Sequence, residues 1–303
     1  MTGVGLCVPQ LWEGVEPALV REFCERAEAL GYTSLWVQDH FMWPLEPLRG
    51  YGGRAGAPIP EQYRSVLAPT ELLAAMATWT TQARLGTSIL VAGNHWPVPL
   101  AQRLSTLDLL SAGRLLVGLG VGWNAEEHTA SGTDVTRRGA RMDEFVAVLR
   151  ACWGDDPVRF EGRFFDVPPS VIRPKPRQQP HPPLLSGMWS EAGLERTRKS
   201  FDAWNPAGLP VADVAAKLAR MNADRPEGMA PLEVYHRVFA QFPHRPTPDG
   251  DTVGRMVAEA AEAARAGFTE VVLEHNFWSE ITEPEDWLEV PAQFQAVIEA
   301  AQG

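Results

Sequence analysis

The sequence of 303 residues contains few cysteines and no long apolar segment. Cys7, Cys24 and Cys152 are an odd number, lie far apart and form no C-x-x-C pair, which favours structural thiols in a reducing compartment. No apolar segment approaches the roughly 20 residues that a membrane-spanning helix needs. The first residues show neither a basic start nor a cleavage site. We therefore expect a cytoplasmic protein with no membrane partner.

The sequence has an excess of acidic residues and lacks a recognisable metal-binding pattern. Its net charge of −11 argues against nucleic acid and anionic membranes as partners. Segment 137–200 is locally basic, which indicates a rim for an anionic ligand or, alternatively, solvated helix faces. No His, Asp or Glu set has metal-ligand spacing, and no nucleophile elbow is present, so no metal site is predicted. A metal-dependent hydrolase or aldolase is accordingly a distant alternative.

Eight short apolar segments alternate with helical patterns along the whole chain. Most are continuously apolar, as strands of a buried parallel sheet are. The sequence predicts an α/β protein, a (β/α)8 TIM barrel in one domain over 1–303, with its active face at the strand C-termini. A doubly wound open sheet is the alternative, which eight strands disfavour. The strand candidates are 3–8, 34–38, 84–91, 114–120, 183–187, 201–205, 233–239 and 269–274.

Two insertions interrupt the regular alternation. Residues 41–66 are rich in Gly, Pro and aromatic residues and exceed an ordinary βα loop, which indicates a lid over the barrel mouth or a disordered tether. Residues 154–183 are rich in proline and predict an extended crossing segment with a short hairpin at 158–167.

Glycines alternate at Gly118, Gly120 and Gly122 where the fourth strand ends. The pattern departs from the dinucleotide fingerprint G-x-G-x-x-G because Trp123 takes its last position. Backbone without Cβ atoms can lie against a flat or phosphorylated group, although close packing explains such glycines equally well.

Several motifs at the predicted strand ends form a joint pattern. They are Leu30-Gly31-Tyr32, Trp36, Asp39-His40, Arg84-Leu85-Gly86-Thr87-Ser88, His95-Trp96-Pro97, Leu107–Arg114, Gly118–Asn124, Glu127, Arg138–Arg141, Glu161-Gly162 and Pro174-Lys175-Pro176. Over residues 3 to about 205 this pattern resembles the bacterial luciferase-like monooxygenase superfamily, particularly its coenzyme F420-dependent oxidoreductase branch.

The resemblance implies an eight-stranded barrel that binds coenzyme F420, or alternatively FMN, at the C-terminal mouth. The cofactor ring would lie over the end of the third strand, at Ser88 and Ile89, whose peptide bond would be cis. At the positions that match Asp39 and His40, residues of the family contact the cofactor and serve as acid or base. Imidazole exchanges protons near neutrality, and the neighbouring Asp39 would orient it or hold the cofactor through its backbone. A homodimer is also expected from the resemblance.

Further cofactor-binding residues are predicted at two turns and on one helix. The turn after the fourth strand has Gly120, Gly122 and Asn124. Gly187 and Ser190 stand where the family pattern has a Gly-Gly pair followed by Ser, although Met188 replaces the second glycine. An amide and a hydroxyl at a helix N-terminus suit a phosphate, and Arg138 could add positive charge.

Aromatic residues near the strand ends predict a broad aromatic mouth for an apolar or planar substrate. Trp123 stands where sugar-phosphate-oxidising relatives have a Glu, which argues against that activity because indole does not transfer protons in this way. The predicted pocket residues are Trp43, Trp96, Trp123, Trp189 and His275.

Three functions remain open from the sequence. The first is an F420-dependent oxidoreductase that moves a hydride between the reduced deazaflavin and a small organic substrate, with assistance from His40. The second is an FMN-dependent two-component monooxygenase, which would need a separate reductase as partner. The third is a flavin-binding barrel without turnover. In the first two the cofactor supplies the chemistry and the barrel positions it.

Overall fold

The computed structural model describes residues 1–243 and 251–303 and shows a closed parallel barrel. The sheet order is β3-β2-β1-β11-β10-β9-β8-β5-β4, and a pairing of β3 with β5 closes it. The predicted (β/α)8 barrel is therefore confirmed. Its strands are β1 (Gly3–Cys7), β2 (Ser34–Val37), β3 (Arg84–Thr87), β4 (Leu90–Val91), β5 (Leu115–Gly120), β8 (Leu184–Ser186), β9 (Ala203–Trp204), β10 (Glu233–Phe239) and β11 (Glu270–Glu274). Strands β6 (Val158–Glu161) and β7 (Asp166–Ser170) form a separate antiparallel hairpin, as predicted near 158–167.

Helices surround the barrel in the described part of the chain. α1 buries Val20, Phe23, Cys24 and Ala27, and Glu22 pairs with Arg26 on its exposed side. Gly31 follows it with a φ of 93°, a left-handed conformation that favours glycine. The helices are α1 (Pro17–Ala29), α2 (Pro69–Trp79), α3 (Pro97–Leu110), α4 (Ala125–Ala130), α5 (Arg138–Trp153), α6 (Glu191–Ser200), α7 (Val211–Ala223), α8 (Thr252–Arg265), α9 (Val290–Gln293) and α10 (Gln295–Gln302). Across residues 1–243 and 251–303, no helix has the length and apolar character to cross a membrane.

The third predicted strand, 84–91, consists of two short strands. β3 pairs with β2 and β5, whereas β4 pairs only with β5, through Leu90–Leu119 and Val91–Gly120. Ser88 and Ile89 lie between them, and their peptide bond is cis, as the resemblance implied. The break therefore lies at the mouth of the barrel, where the cofactor ring is expected.

Segment 41–66 contributes side chains to an apolar cluster at the mouth. It contains two short 3-10 turns, Tyr51–Gly53 and Glu61–Arg64, and Val66 bridges to Leu11. Ile59 and Tyr63 are buried in this cluster with Phe239, the last residue of β10, and Phe277, which follows β11. The segment therefore contacts the ends of distant strands.

Candidate functional site

The side chain of Ile89, just after β3, lies against three glycines. We call Ile89, Gly118, Gly120 and Gly187 the glycine floor. Ile89 is partly exposed, whereas Ser88 and Leu90 are buried. A Cβ atom at Gly120 would lie 2.5 Å from Ile89 Cδ1, and one at Gly187 would lie 2.7 Å from Ile89 Cγ2. The glycines therefore make room for the Ile89 side chain. The glycine floor thus offers an apolar surface on which a flat ring can lie.

Ser88 is held through its side chain by Asn205, which follows β9, and through its carbonyl by Arg237 of β10. Ser88 Oγ donates to Asn205 Oδ1 at 2.6 Å, and Asn205 Nδ2 donates to the Tyr235 carbonyl at 2.6 Å. Arg237 Nη1 donates to the Ser88 carbonyl at 2.7 Å. Because all of these groups are buried, the position of Ser88 is fixed by several satisfied hydrogen bonds.

Arg237 forms a buried ion pair with Glu274. Burial acts against both charges and is the largest single influence. The attraction and the hydrogen bond between the two groups, together with smaller contributions from neighbouring groups, outweigh it, so the pKa of Glu274 is lowered and the pKa of Arg237 is raised. Asn276 donates to Glu274 through its backbone N–H at 2.7 Å and its side-chain nitrogen at 2.9 Å. This ion pair was not predicted from the sequence. The local indication of it is that both residues are charged although they belong to the apolar strand patterns of β10 and β11.

The adjacent residues Asp39 and His40 have different partners. Asp39 accepts from the Val91 N–H at 2.9 Å and lies 2.8 Å from His95 Nε2, so it links the end of β2 to the segment after β4. His40 Nδ1 lies 3.0 Å from Glu127 Oε1. Glu127, rather than the neighbouring Asp39, therefore orients the His40 ring.

Glu127 is held by the start of α4. Asn124 Oδ1 accepts from the N–H groups of Glu126 and Glu127 and thus caps the helix. Glu127 also accepts from the Phe41 N–H at 3.1 Å. No role was predicted for Glu127 from the sequence. The available signal is the pattern Asn-x-x-Glu, which is typical of a helix start. Asn124, predicted to contact cofactor, has this capping role in the structure.

Aromatic side chains cover His40. The ring centroid of Tyr63 lies 4.5 Å from that of His40, and the Trp123 centroid lies 5.3 Å away. Tyr63 in turn lies 5.5 Å from Phe277, which follows β11. We call the four residues Tyr51, Tyr63, Trp123 and Phe277 the aromatic wall.

Comparisons with known proteins identify the family of the chain. Residues 8–241 match the model of the luciferase-like monooxygenase family. The chain belongs to this family. It is 33% identical over 196 residues to an uncharacterized protein of Mycobacterium tuberculosis, covering 63% of this chain and 67% of that one. It is also 33% identical over 163 residues to an F420-dependent glucose-6-phosphate dehydrogenase of Amycolatopsis mediterranei, covering 52% of this chain and 44% of that enzyme.

Solved structures show the same luciferase-like fold over the whole chain. An F420-dependent secondary alcohol dehydrogenase, solved with an F420-acetone adduct, aligns with a TM-score of 0.74 at 18% identity, covering 100% of this chain and 99% of that one. A monooxygenase from Streptomyces bottropensis aligns with a TM-score of 0.73 at 21% identity, covering 100% of both chains. At these identities the likeness supports the barrel fold.

The residues predicted to bind phosphate, Gly187 and Ser190, follow strand β8 of the luciferase-like barrel. Some of their polar groups already form hydrogen bonds within the protein. The Gly187 N–H donates to the Leu119 carbonyl at 2.9 Å, and Ser190 Oγ caps α6 by accepting from the Gly193 N–H at 3.2 Å. Gly122 has a φ of 73° and approaches Val91 closely. As cofactor contacts, these residues stay predictions.

Arg138 lines a small pocket beside the turn that follows β5. Arg141, His128 and Thr133 line the same pocket, together with Ala92, Gly93, Val121, Asp134 and Met142. Arg141 is buried, and its Nη1 donates to the Ala92 carbonyl at 3.3 Å. Burial lowers the pKa of Arg141. The pocket therefore has two guanidinium groups at its edge, which suits an anion.

The structure separates the other predicted pocket residues. Trp123 lies in the aromatic wall beside His40. Trp43 packs at the edge of the same apolar cluster, with the Arg64 guanidinium 4.3 Å from its ring centroid. Trp96 and Trp189 are 63% and 66% exposed. Trp96 lies near Phe165 of the hairpin segment.

His275 is buried between the barrel and its outer helices. Its ring lies 5.5 Å from that of Phe23 on α1 and 5.2 Å from that of Trp287. The structure therefore does not bring it together with His40, although both residues follow an acidic residue at a strand end. Burial lowers the pKa of His275 to about 4, although the adjacent Glu274 acts in the opposite direction.

We expect His275 to contribute to acid sensitivity. Since its folded-state pKa is below the unfolded value of about 6.5, the unfolded chain binds the extra proton and stability falls as pH decreases from about 6.5 towards 4. The shift corresponds to about 3 kcal/mol at the acidic end of this range. Urea unfolding of the wild type and His275→Gln at pH 7 and 4.5 measures this. An equal loss of stability in both proteins between the two pH values would contradict the prediction.

Metal ligands do not cluster in the described residues: 1–243 and 251–303 contain no group of three or more His, Cys, Asp or Glu able to hold an ion. Several side chains in this part of the chain have buried polar atoms without a hydrogen-bond partner, among them Trp43, Asn94, His236 and His275. Both side-chain polar atoms of Asn94, which follows β4, are of this kind. Buried polar groups are normally paired, so the Asn94 amide is free to pair with a ligand that reaches the turn after β4.

Proposed function

We propose that this luciferase-like protein is an F420-dependent oxidoreductase that transfers a hydride between the deazaflavin and a small apolar or planar substrate. The observation that carries the proposal is the His40–Glu127 pair, which lies at the same mouth of the barrel as the glycine floor with its partly exposed Ile89. The F420-dependent activities named for one relative and one structural neighbour support this choice of cofactor.

The residues present fit a deazaflavin at the glycine floor. Ile89 would support the ring, and the unsatisfied amide of Asn94 would pair with a polar edge of the cofactor. Arg138 and Arg141 would attract the anionic tail into their pocket. Ser190 caps the start of α6, and its hydroxyl hydrogen would be available to a phosphate, whereas the Gly187 N–H is already bonded to Leu119.

The bound deazaflavin would supply hydride transfer, and the chain would supply the proton. Because the Glu127 carboxylate can only accept, His40 Nδ1 holds the hydrogen of that contact, which leaves Nε2 to exchange a proton with the substrate. Asp39 would act through position, by fixing the turn that contains His40. Tyr63 and Trp123 would exclude water from the imidazole.

The FMN-dependent monooxygenase is the second candidate, because the family model and one structural neighbour are named as monooxygenases. Trp123 is compatible with this chemistry, since no second acid is required at its position. In that case a separate reductase would supply the reduced flavin. The non-catalytic barrel would be favoured only if the cofactor bound without any turnover.

Titration of the apoprotein with F420 and with FMN, followed by tryptophan fluorescence, tests the proposal. We expect F420 to bind more tightly than FMN, and the bound reduced F420 to be reoxidised by ketones or conjugated carbonyl compounds under anaerobic conditions. Preference for FMN together with oxygen consumption would support the monooxygenase instead. Binding of neither cofactor would reject both functions.

The salt dependence of F420 binding tests the arginine pocket. We expect Arg138→Gln to weaken F420 binding about 10- to 100-fold at low salt, since a charge-assisted hydrogen bond contributes about 1.5–3 kcal/mol. The slope of log Kd against log salt should also decrease, because one cation no longer contributes. Arg163→Gln, a substitution in the same basic segment but beside Phe164 of the hairpin, is the matched control. Equal losses of affinity in both variants would contradict a role of this pocket in binding F420.

A further inference from the structure

Tyr51 is presented to the mouth by a compact loop within segment 41–66. The Gly50 N–H donates to the Arg54 carbonyl at 3.0 Å, and the Tyr51 N–H donates to the Ala57 carbonyl at 3.2 Å. A Cβ atom at Gly50 would lie 1.6 Å from the Ala57 oxygen, so only glycine allows this closure. Gly52 has a φ of 64°, which favours glycine as well. The loop is therefore built to hold its one aromatic residue in a defined place.

The ring of Tyr51 lies among the other members of the aromatic wall. Its centroid is 5.5 Å from Trp123, 6.1 Å from Tyr63 with the planes nearly parallel at 28°, and 6.4 Å from Phe277. Phe242, which follows β10, lies 6.4 Å away and approaches edge-on. A planar ring is thus surrounded by rings that contact its face and its edges.

The hydroxyl group of Tyr51 hydrogen bonds with Tyr63, whose own hydroxyl donates to Gln38 Oε1 at 3.0 Å. Burial raises the pKa of Tyr51, and the charges of Arg237 and Glu274 also act on it. The Tyr51 oxygen therefore has the Tyr63 hydroxyl as a polar partner at the mouth.

Tyr51 is also on the substrate side of the proposed cofactor position. The glycine floor is formed by residues of β5 and by the segments that follow β3 and β8, whereas Phe242 and Phe277 follow β10 and β11. Tyr63 and Trp123, the neighbours of Tyr51, are the residues that contact the His40 ring. A molecule that accepts a proton from His40 next to a ring on Ile89 would have to enter this same group of side chains.

We propose that Tyr51 occupies the substrate's place in the free protein and that the substrate is a planar aromatic compound with an oxygen substituent, such as a phenol or an aryl carbonyl compound. This rests on the proposed function for the identity of the reaction, but the contacts of Tyr51 define the ligand class. The substrate ring replaces the Tyr51 ring beside Trp123 and Phe277, and its oxygen replaces the Tyr51 hydroxyl beside Tyr63. The loop 50–57 moves outward when the substrate binds.

Fluorine NMR of protein labelled with 3-fluorotyrosine tests this displacement. The chain has four tyrosines, so Tyr51→Phe assigns the resonance of Tyr51. The probe is 4-methylphenol, which reproduces the tyrosine side chain, and 4-methylcyclohexanol is its non-planar counterpart. We expect 4-methylphenol to shift the Tyr51 resonance to a solvent-exposed position, and the cyclohexanol to leave it unchanged at the same concentration. F420 alone should also leave it unchanged.

Removal of the ring gives the second measurement. Because Tyr51 competes with the ligand, Tyr51→Ala should bind 4-methylphenol at least ten times more tightly than the wild type. Leu48→Ala, which changes a 79% exposed residue of the same segment, should bind it as the wild type does. A Tyr51 resonance that stays in place with saturating phenol, or a Tyr51→Ala variant that binds no more tightly, would overturn the proposal. So would displacement of Tyr51 by F420 alone.

These outcomes can be separated from failure of the proposed function. The phenol measurements are made with the protein in the absence of F420 and repeated in its presence. Displacement of Tyr51 in a protein that fails to bind F420 would reject the function and retain the ligand class. F420-dependent turnover of carbonyl compounds without displacement of Tyr51 would reject only the present inference.

Discussion

His40→Gln should lower the rate of hydride transfer by a factor of about 10² to 10⁴, the range that a positioned acid or base contributes. The amide retains the approximate size of imidazole but cannot exchange a proton at Nε2. Glu127→Gln should give an intermediate loss, because Gln still offers an oxygen to His40 Nδ1 but lacks the negative charge. Single-turnover reoxidation of reduced F420 by the best carbonyl substrate measures both effects.

His181→Gln is the matched control for this series. His181 belongs to the proline-rich segment and packs against Trp153, with its Nδ1 near the Pro182 carbonyl. Its substitution should leave the rate within about twofold of the wild type. If His40→Gln retained the wild-type rate while F420 still bound, the proton-transfer role would be refuted. F420 affinity is measured for every variant so that loss of binding is not mistaken for loss of chemistry.

Arg237→Met should lower the free energy of unfolding by about 3–5 kcal/mol, because it leaves the buried carboxylate of Glu274 without its cation. It also removes the donor to the Ser88 carbonyl, so the affinity for F420 should fall as well. The double variant Arg237→Met/Glu274→Gln should recover part of the stability, since no buried charge remains, but not the hydrogen bond to Ser88. Urea unfolding and fluorescence titration measure the two effects separately.

The destabilisation by Arg237→Met should shrink as pH falls. In the wild type the lowered pKa of Glu274 contributes stability above the ordinary carboxyl range, and this contribution is lost as pH decreases. In Arg237→Met the carboxyl group is buried without a cation, and its protonation at low pH removes the unpaired charge. Unfolding at pH 7.5 and pH 4.5 should therefore show the smaller difference at pH 4.5. A difference that is constant across this range would show that the lost stability comes from packing alone.

Local pattern was sufficient for most of the strands and for the position of His40 at a strand end. Apolar runs at 3–8, 34–38 and 233–239 correspond to β1, β2 and β10 because a strand buried on both faces has few alternatives in sequence. Gly31 ends α1 for a reason that is also local, a positive φ. Such features depend on neighbours within about one helical turn, which a single sequence contains.

Contacts between distant strands were less accessible. Asp39 and His40 are adjacent in sequence, so the neighbouring acid was one expected partner for the histidine, yet successive residues point in different directions and meet different elements. His95 and Glu127 are therefore their partners. Nothing local distinguishes Trp123, which reaches His40, from the largely exposed Trp96 and Trp189.

The sequence by itself determined the barrel, the glycines at the strand ends and the family of the protein, whereas the break at Ser88 and Ile89 divides a strand that was predicted to be continuous over 84–91. Only the tertiary structure decided which polar groups meet across the mouth, including Arg237 with Glu274 and Tyr51 with Tyr63. The physical reason is that propensity and periodicity fix each element separately, whereas closure of the barrel fixes the register between strands. That register brings side chains from opposite ends of the chain within hydrogen-bond distance.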